Sequence, residues 1–261
     1  MTYTIAISNE KGGVAKTTST LSLGAALAET VQKVLLIDLD PQANLTLALG
    51  FEPGKVEHTS GDILLDATPL LESCQATSIA GLDLIPANTG LEQAEQVLPI
   101  YLNYTSRLSN AIKSADPLPY QIVLIDCPPS LGAITVNALT AADLLIIPTQ
   151  AEYFSAYALR DMMAIVRQVR TEENPKLAYR ILVTMLDQRN RTHRDIRDQL
   201  ERTFGIGIFK TVIEIDTKLR ESPILGLSIT QYKPNSRGAL QYRSLAEELI
   251  QYVEQANSEA A

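Results

Sequence analysis

Between residues 11 and 18 the chain reads Lys-Gly-Gly-Val-Ala-Lys-Thr-Thr, two ammonium groups, two glycines and two hydroxyls in one short stretch. Glycine lets a backbone approach an anion closely, and consecutive amides leading into a helix supply positive partial charge. Lys16 adds a full charge, and Thr17 carries the hydroxyl that a phosphate loop uses on Mg²⁺. Two carboxylates stand at the ends of apolar runs, Asp40 after residues 34–39 and Asp126 after residues 122–125. A carboxylate beside a phosphate loop can hold the water shell of a metal ion or orient an attacking water, so the chemistry expected is phosphoryl transfer. A Gly-Gly turn between solvated lysines is the competing reading. It would need neither a strand before the loop nor an apolar helix after it.

Both are expected from the pattern. Tyr3, Ile5 and Ile7 alternate before the loop, and residues 18–30 place Leu21, Leu23, Ala25, Ala26 and Leu27 at helical spacing. Within the segments 34–39 (VLLIDL) and 121–129 (QIVLIDCPP), residues 34–37 and 122–125 are apolar at consecutive positions. Such strands are buried on both faces of a parallel sheet, and the carboxyl ends of these sheets hold ligands. Residues 128–132, Pro-Pro-Ser-Leu-Gly, read as a switch loop sensing a γ-phosphate. Further strands are expected at 82–86, 143–148, 178–186 and 209–215. Helices are expected at 60–65, across 91–115 with Pro99 near the start or at a kink, at 156–169, through the arginine-bearing segment ending at Gly205, and at 238–253. Residues 216–221 read as a turn, and 255–261 as a frayed tail. Strands alternating with helices give an α/β fold, a doubly wound and mainly parallel sheet of the P-loop type, as a single domain over residues 1–261.

Composition narrows the classes further. The chain has 261 residues, 46% hydrophobic and 20% charged, enough for one sizeable core. Its longest apolar runs are strand-sized, which excludes a membrane-spanning helix. No basic segment followed by an apolar one opens the chain, and only Cys74 and Cys127 are present, so the reducing cytoplasm is the expected compartment. His58 and His193 stand too far apart in sequence to seed a metal cluster. A net charge of −8 restricts any nucleic-acid contact to a local patch.

The loop departs from the regular pattern GxxxxGK[ST], because Glu10 and Ala15 occupy the glycine positions. It fits the variant KGGxxK[ST] instead. With LLIDLDPQAN, VLIDCPPSLG, the AEYF segment at 151–154 and YKPNSRG at 232–238, the chain resembles the ParA/MinD family of deviant Walker ATPases, in its ParA (Soj-like) branch, from Tyr3 to about Val253. The resemblance implies a Mrp/MinD-like P-loop sheet and cofactors ATP and Mg²⁺, with the nucleotide between the two subunits of a homodimer. It implies that Lys16 and the amides of Gly12, Gly13, Val14, Ala15, Thr17 and Thr18 hold phosphates, and that Thr17, Asp40 and Asp126 serve the metal and the attacking water. Lys11 would reach the phosphates of the partner subunit. Glu214 and Asp216 stand where relatives commonly have proline and asparagine against adenine. Ala15 replaces a usual glycine, and if its φ is positive it costs about 1 kcal/mol.

The resemblance further implies non-specific DNA binding by arginines and lysines, here Arg189 and Lys218 with Arg191, Arg194, Arg197 and Arg220 nearby. Asp195, Asp198 and Glu201 alternate with these arginines, the pattern of a solvated helix face. A ParB-like or McdB-like cargo adaptor and a nucleoid-associated location complete the expectation. The chain begins at its first strand, so no N-terminal helix-turn-helix is expected. The alternatives are a nucleotide-switched adaptor without DNA binding and a MinD-like membrane-cycling ATPase. The second is disfavoured because residues after Arg243 carry no lysine or arginine. An iron–sulfur reductase-like ATPase would need cysteine motifs that are absent.

Overall fold

The computed structural model describes residues 2–31, 33–153 and 155–260, so Phe154 of the AEYF segment and the terminal residue of the tail lie outside the described residues. Seven strands form one sheet in the order β3-β4-β2-β5-β1-β6-β7: β1 (Tyr3–Ile7), β2 (Val34–Asp38), β3 (Gln75–Ala76), β4 (Leu82–Ile85), β5 (Ile122–Asp126), β6 (Leu144–Gln150) and β7 (Ala178–Thr184). All neighbours are parallel except β3 and β4. Eleven described helices surround the sheet: α1 (Lys16–Ala28), α2 (Asn44–Ala48), α3 (Ser60–Asp66), α4 (Gly90–Val97), α5 (Arg107–Ser114), α6 (Ala133–Ala141), α7 (Ser155–Glu172), α8 (Arg191–Phe204), α9 (Lys218–Glu221), α10 (Ile229–Tyr232) and α11 (Arg237–Ala260).

The consecutive apolar runs sort by alternation into two cores. Leu35, Ile37, Val123, Ile125, Leu145 and Ile147 face the layer containing α3 to α7. Val34, Leu36, Ile122, Leu124, Leu144 and Ile146 face α1 and α11. Strands β1, β2 and β5 are buried at every position, as a parallel sheet covered on both faces requires. Leu159, Met162 and Val166 of α7 lie in the first core.

Four expectations differ from the structure. No strand forms at 209–215; an isolated parallel bridge joins Leu186 to Glu214 there, and another joins Ile181 to Ile208 just before it. The ladder is broken because α11 takes its donors. The amides of Lys210 and Thr211 bond the Glu248 carboxylate at 2.8 and 2.9 Å, and that of Glu214 bonds Gln241 Oε1 at 2.9 Å. The helix across 91–115 divides into α4 and α5, joined by two 3₁₀ turns, with Pro99 inside the first turn and Asn103 at φ 58 before the second. Neither residue continues an α-helix there. Helix α11 continues through residues 255–260, where fraying was expected, and residues 218–221 of the expected turn close into α9.

Register positions the chemistry. Ile7 and Asp38 are both paired with Asp126 across the sheet, so β1, β2 and β5 end together. Because β1 lies between β5 and β6, the loop after it emerges with Asp126 on one side and Gln150 on the other.

Candidate phosphate-binding site

The loop is held at its margins and left open in the middle. Asn9 Nδ2 donates to the Pro148 carbonyl at 2.7 Å, Thr184 Oγ1 to the Val14 carbonyl at 3.0 Å, and Gln150 Nε2 to the Gly13 carbonyl at 3.1 Å. Gly13 and Ala15 adopt positive φ, 75° and 68°, turning the chain abruptly into α1. Ala15 thus occupies the left-handed region where a side chain costs about 1 kcal/mol. A Cβ on either Gly12 or Gly13 would meet nothing within 4 Å, so the concave side of the loop is clear.

Lys16 is buried, and its ammonium folds back over the loop to the carbonyls of Asn9 at 3.0 Å and Lys11 at 3.4 Å. Burial lowers the pKa of this ammonium, and the Asp126 carboxylate opposes that shift. Thr17 Oγ1 donates to Asp126 Oδ2 at 2.7 Å, and Thr20 Oγ1 to Asp126 Oδ1 at 3.0 Å. Asp126 is fully buried. Its carboxyl is pushed well above the ordinary range by burial and then by neighbouring Asp38, while Thr17 and Thr20 pull it back.

Asp38 is a residue that sequence reasoning passed over in favour of Asp40. It is fully buried, and Oδ1 accepts from the Asp40 amide at 3.1 Å. Oδ2 accepts from the Thr46 amide at 2.9 Å and hydroxyl at 2.7 Å, which fixes the start of α2. Asp40 in turn accepts from the Gln42 amide at 2.9 Å. Asp38 therefore shapes the turn that carries Asp40. The Asp-Leu-Asp spacing, one carboxylate ending the strand and the next in the following loop, was the available signal.

Lys11 lies at the rim, with 28% of its side chain exposed. Its ammonium contacts Glu152 Oε2 at 2.6 Å, just after β6, and Gln150 Oε1 at 3.1 Å, from the last residue of β6. A cavity of about 260 Å³ opens beside the loop, lined by Gly13, Ala15, Thr18, Met185, Glu214 and Asp216. The two acids lining it have internal partners: Glu214 pairs with Arg237 at 2.9 Å, while Asp216 accepts from the amides of Lys218 and Gly238, each at 2.9 Å. Asp216 thus ties the cavity wall to the first turn of α11.

The expected DNA contacts fall in two separate stretches. Arg189 forks onto Asp187 at 3.0 and 3.1 Å and holds that carboxyl below its usual range. Arg191 meets Asp195 at 3.7 Å, and Arg197 meets Glu201 at 2.7 Å. Arg194 donates to the Gln188 carbonyl. Lys218 bonds both oxygens of Glu221, at 2.9 and 2.7 Å, and Tyr232 bonds the same carboxylate. Arg220 lines the cavity described above.

A family model described as an AAA domain matches residues 2–179. The sporulation initiation inhibitor protein Soj of Bacillus subtilis is 41% identical over 94% of this chain and 97% of its own length. The chromosome partitioning protein ParA of Caulobacter vibrioides is 37% identical over 94% of this chain and 93% of its own. Among solved structures, cobyrinic acid a,c-diamide synthase from Mycobacterium smegmatis, with a bound ATP analogue and magnesium, superposes with a TM-score of 0.86 at 32% identity, covering 98% of this chain and 97% of that one. With its deviant loop and doubly wound sheet in place, this chain belongs to the ParA/MinD superfamily of P-loop ATPases, within the AAA-domain family.

Proposed function

We propose that the whole chain acts as one ParA-type partitioning ATPase: it binds Mg-ATP at residues 11–18, pairs with a second copy around the nucleotide, binds DNA without reading sequence, and is released when a partner stimulates hydrolysis. The observation that carries this reading is the division between the two lysines. Lys16 is buried over its own loop, whereas Lys11 stands at the rim on exchangeable partners. That division supports a role for the first on phosphates in cis and for the second on charge presented by a facing subunit.

The residues fit the nucleotide and its metal. Gly12 and Gly13 leave the cradle clear, and Lys16 can exchange its two carbonyl contacts for phosphate oxygens. Among the described residues no three His, Cys, Asp or Glu side chains converge on a metal position. A Mg²⁺ ion held by one hydroxyl, phosphate oxygens and water needs no such cage. Thr17 would supply that hydroxyl and Asp126 would hold the water shell; the bound ion's chemistry is to neutralise charge on the β- and γ-phosphates. Asp40, oriented by Asp38, would position the attacking water. Glu214, Asp216 and their cavity would receive the adenine. Relatives named as partitioning proteins support a cargo moved through a ParB-like or McdB-like adaptor.

One observation favours a second reading, a nucleotide-switched adaptor that does not touch DNA. Arg189, Arg191, Arg197 and Lys218 each pair with an acid of the same chain, which weakens their pull on phosphate. Titrating non-specific duplex at two salt concentrations separates the readings. The ParA-type reading expects binding only with Mg-ATP, falling steeply with salt and weakened by Arg189→Glu or Lys218→Glu. Binding that is absent, or indifferent to ATP, supports the adaptor.

A further inference from the structure

Helix α4 carries a carboxylate that reaches the switch segment from another layer. Glu95 Oε1 accepts from the Ala133 amide at 2.8 Å, and Oε2 accepts from the Ile134 amide at 3.0 Å. These are the first two amides of α6, donors that have no acceptor within their own helix. They directly follow residues 127–132, the loop that leaves β5 after Asp126. Most helix starts are capped by the residue preceding the first turn. That residue here is Gly132, which has no side chain, and the acceptor comes from Glu95, 38 positions before Ala133.

The absence of a side chain at 132 is part of the same contact. A Cβ there would lie 1.5 Å from Glu95 Oε1 and 2.7 Å from its carboxyl carbon, so Gly132 is the gap through which the carboxylate enters. Two more bonds fasten the loop to the helix: Thr135 Oγ1 donates to the Ser130 carbonyl at 2.6 Å, and the Val136 amide to the Gly132 carbonyl at 3.0 Å. At the other end, Leu91 and Ala94, with Leu98 just beyond the helix, anchor α4 in the core. Whatever fixes the start of α6 therefore fixes residues 130–132, and Glu95 links that start to a rigid layer.

We propose that Glu95 is a positioning residue for the triphosphate state: through the Ala133 and Ile134 amides it holds the 127–132 loop where a terminal phosphate is received, and so sets the preference for ATP over ADP. This inference rests on the Mg-ATP reading above. A carboxylate that only stabilised α6 would change folding stability and affect both nucleotides alike. One that positions the loop acts selectively, because ADP lacks the phosphate that the loop meets.

The test measures equilibrium binding of ADP and of a non-hydrolysable ATP analogue, both with Mg²⁺, to the wild type, Glu95→Ala, Glu95→Gln, Gly132→Ala and the Glu95→Ala/Gly132→Ala double variant. Removing an acceptor shared by two amides is expected to weaken the ATP analogue about tenfold while ADP stays within about twofold. Glu95→Gln keeps one acceptor oxygen and falls between; should Glu95→Ala fail to fold, this variant decides through the same analogue-to-ADP ratio. Gly132→Ala expels the carboxylate and should reproduce the selective loss, and the double variant should be no worse than the poorer single one. Equal weakening of both nucleotides, or additive losses in the double variant, would overturn the inference while leaving the nucleotide site intact. A wild type that binds neither nucleotide would overturn the Mg-ATP reading and this inference with it.

Discussion

The loop at residues 11–18 and the basic stretches at 189–197 and 218–220 were both picked out by their cations, yet the structure treats those cations in opposite ways. Lys16 is withdrawn from solvent and rests on backbone carbonyls, with hydroxyls and carboxylates arranged around the same point. Arg189, with 91% of its side chain exposed, is answered by an acid two residues away. A buried cation facing carbonyl groups is prepared for an anion from outside, because it has no full counter-charge in direct contact. A surface cation already bridged by its own carboxylate must break that bridge before it grips a phosphate. The contrast predicts a tight site at the loop and a weak, salt-sensitive one on the basic face.

The largest expected effect tests the first half of that contrast. Lys16→Ala should lower Mg-ATP affinity by about two orders of magnitude, the loss of one charge-assisted phosphate contact of ~3 kcal/mol, measurable by calorimetric titration. An affinity within a few-fold of wild type would deny the buried ammonium its role. The second half is sharpened by Asp187→Asn, which removes the acid bridging Arg189. Duplex affinity in Mg-ATP should then rise severalfold at low salt, with the log–log salt slope steeper by about one. No change would mean that this guanidinium does not face DNA.

A smaller effect probes the loop itself. Ala15→Gly relieves a positive φ and should stabilise the protein by about 1 kcal/mol in denaturant melts, with unchanged m-value. A destabilisation would show that the strain is absorbed elsewhere. The smallest is a surface control. Arg243 forks onto Glu29 at 2.6 and 3.0 Å, joining α11 to the end of α1, and this hydrogen bond holds the Glu29 carboxyl below its usual range. Because the folded-state pKa is depressed, the stabilisation is present above the ordinary carboxylate pKa and is lost as pH falls through the folded value. Partial exposure limits it, so Glu29→Gln should cost about 0.5 kcal/mol at neutral pH in thermal melts, and the cost should shrink as pH falls below the ordinary carboxylate range.

Much of this was legible where local residues decide the outcome. The sheet follows from consecutive apolar runs ending in Asp38 and Asp126, and the cradle from glycines and lysines whose spacing admits few backbone paths. Legibility failed where a distant element competes for the same groups. Residues 209–215 have a strand's composition, yet Glu248 and Gln241 of α11 take three of their amides. Nothing in the sequence sets Glu95 apart from the other acid of α4, and only the fold brings it to α6. The basic stretches were ambiguous for a related reason. Alternating charge along a sequence signals pairing, and the structure shows that pairing made at Asp187, Asp195, Glu201 and Glu221.

In the function proposed above the nucleotide joins two copies of this chain, with Lys11 leaving Glu152 to meet its neighbour's phosphates. Multi-angle light scattering of Asp40→Ala, which should trap the triphosphate, tests this most directly when run with Mg-ATP, with ADP and without nucleotide. Twice the chain mass is expected with Mg-ATP alone, and a return to the single mass when Lys11→Ala is added. A single mass under all three conditions, in a protein that calorimetry shows to be saturated with ATP, would contradict it.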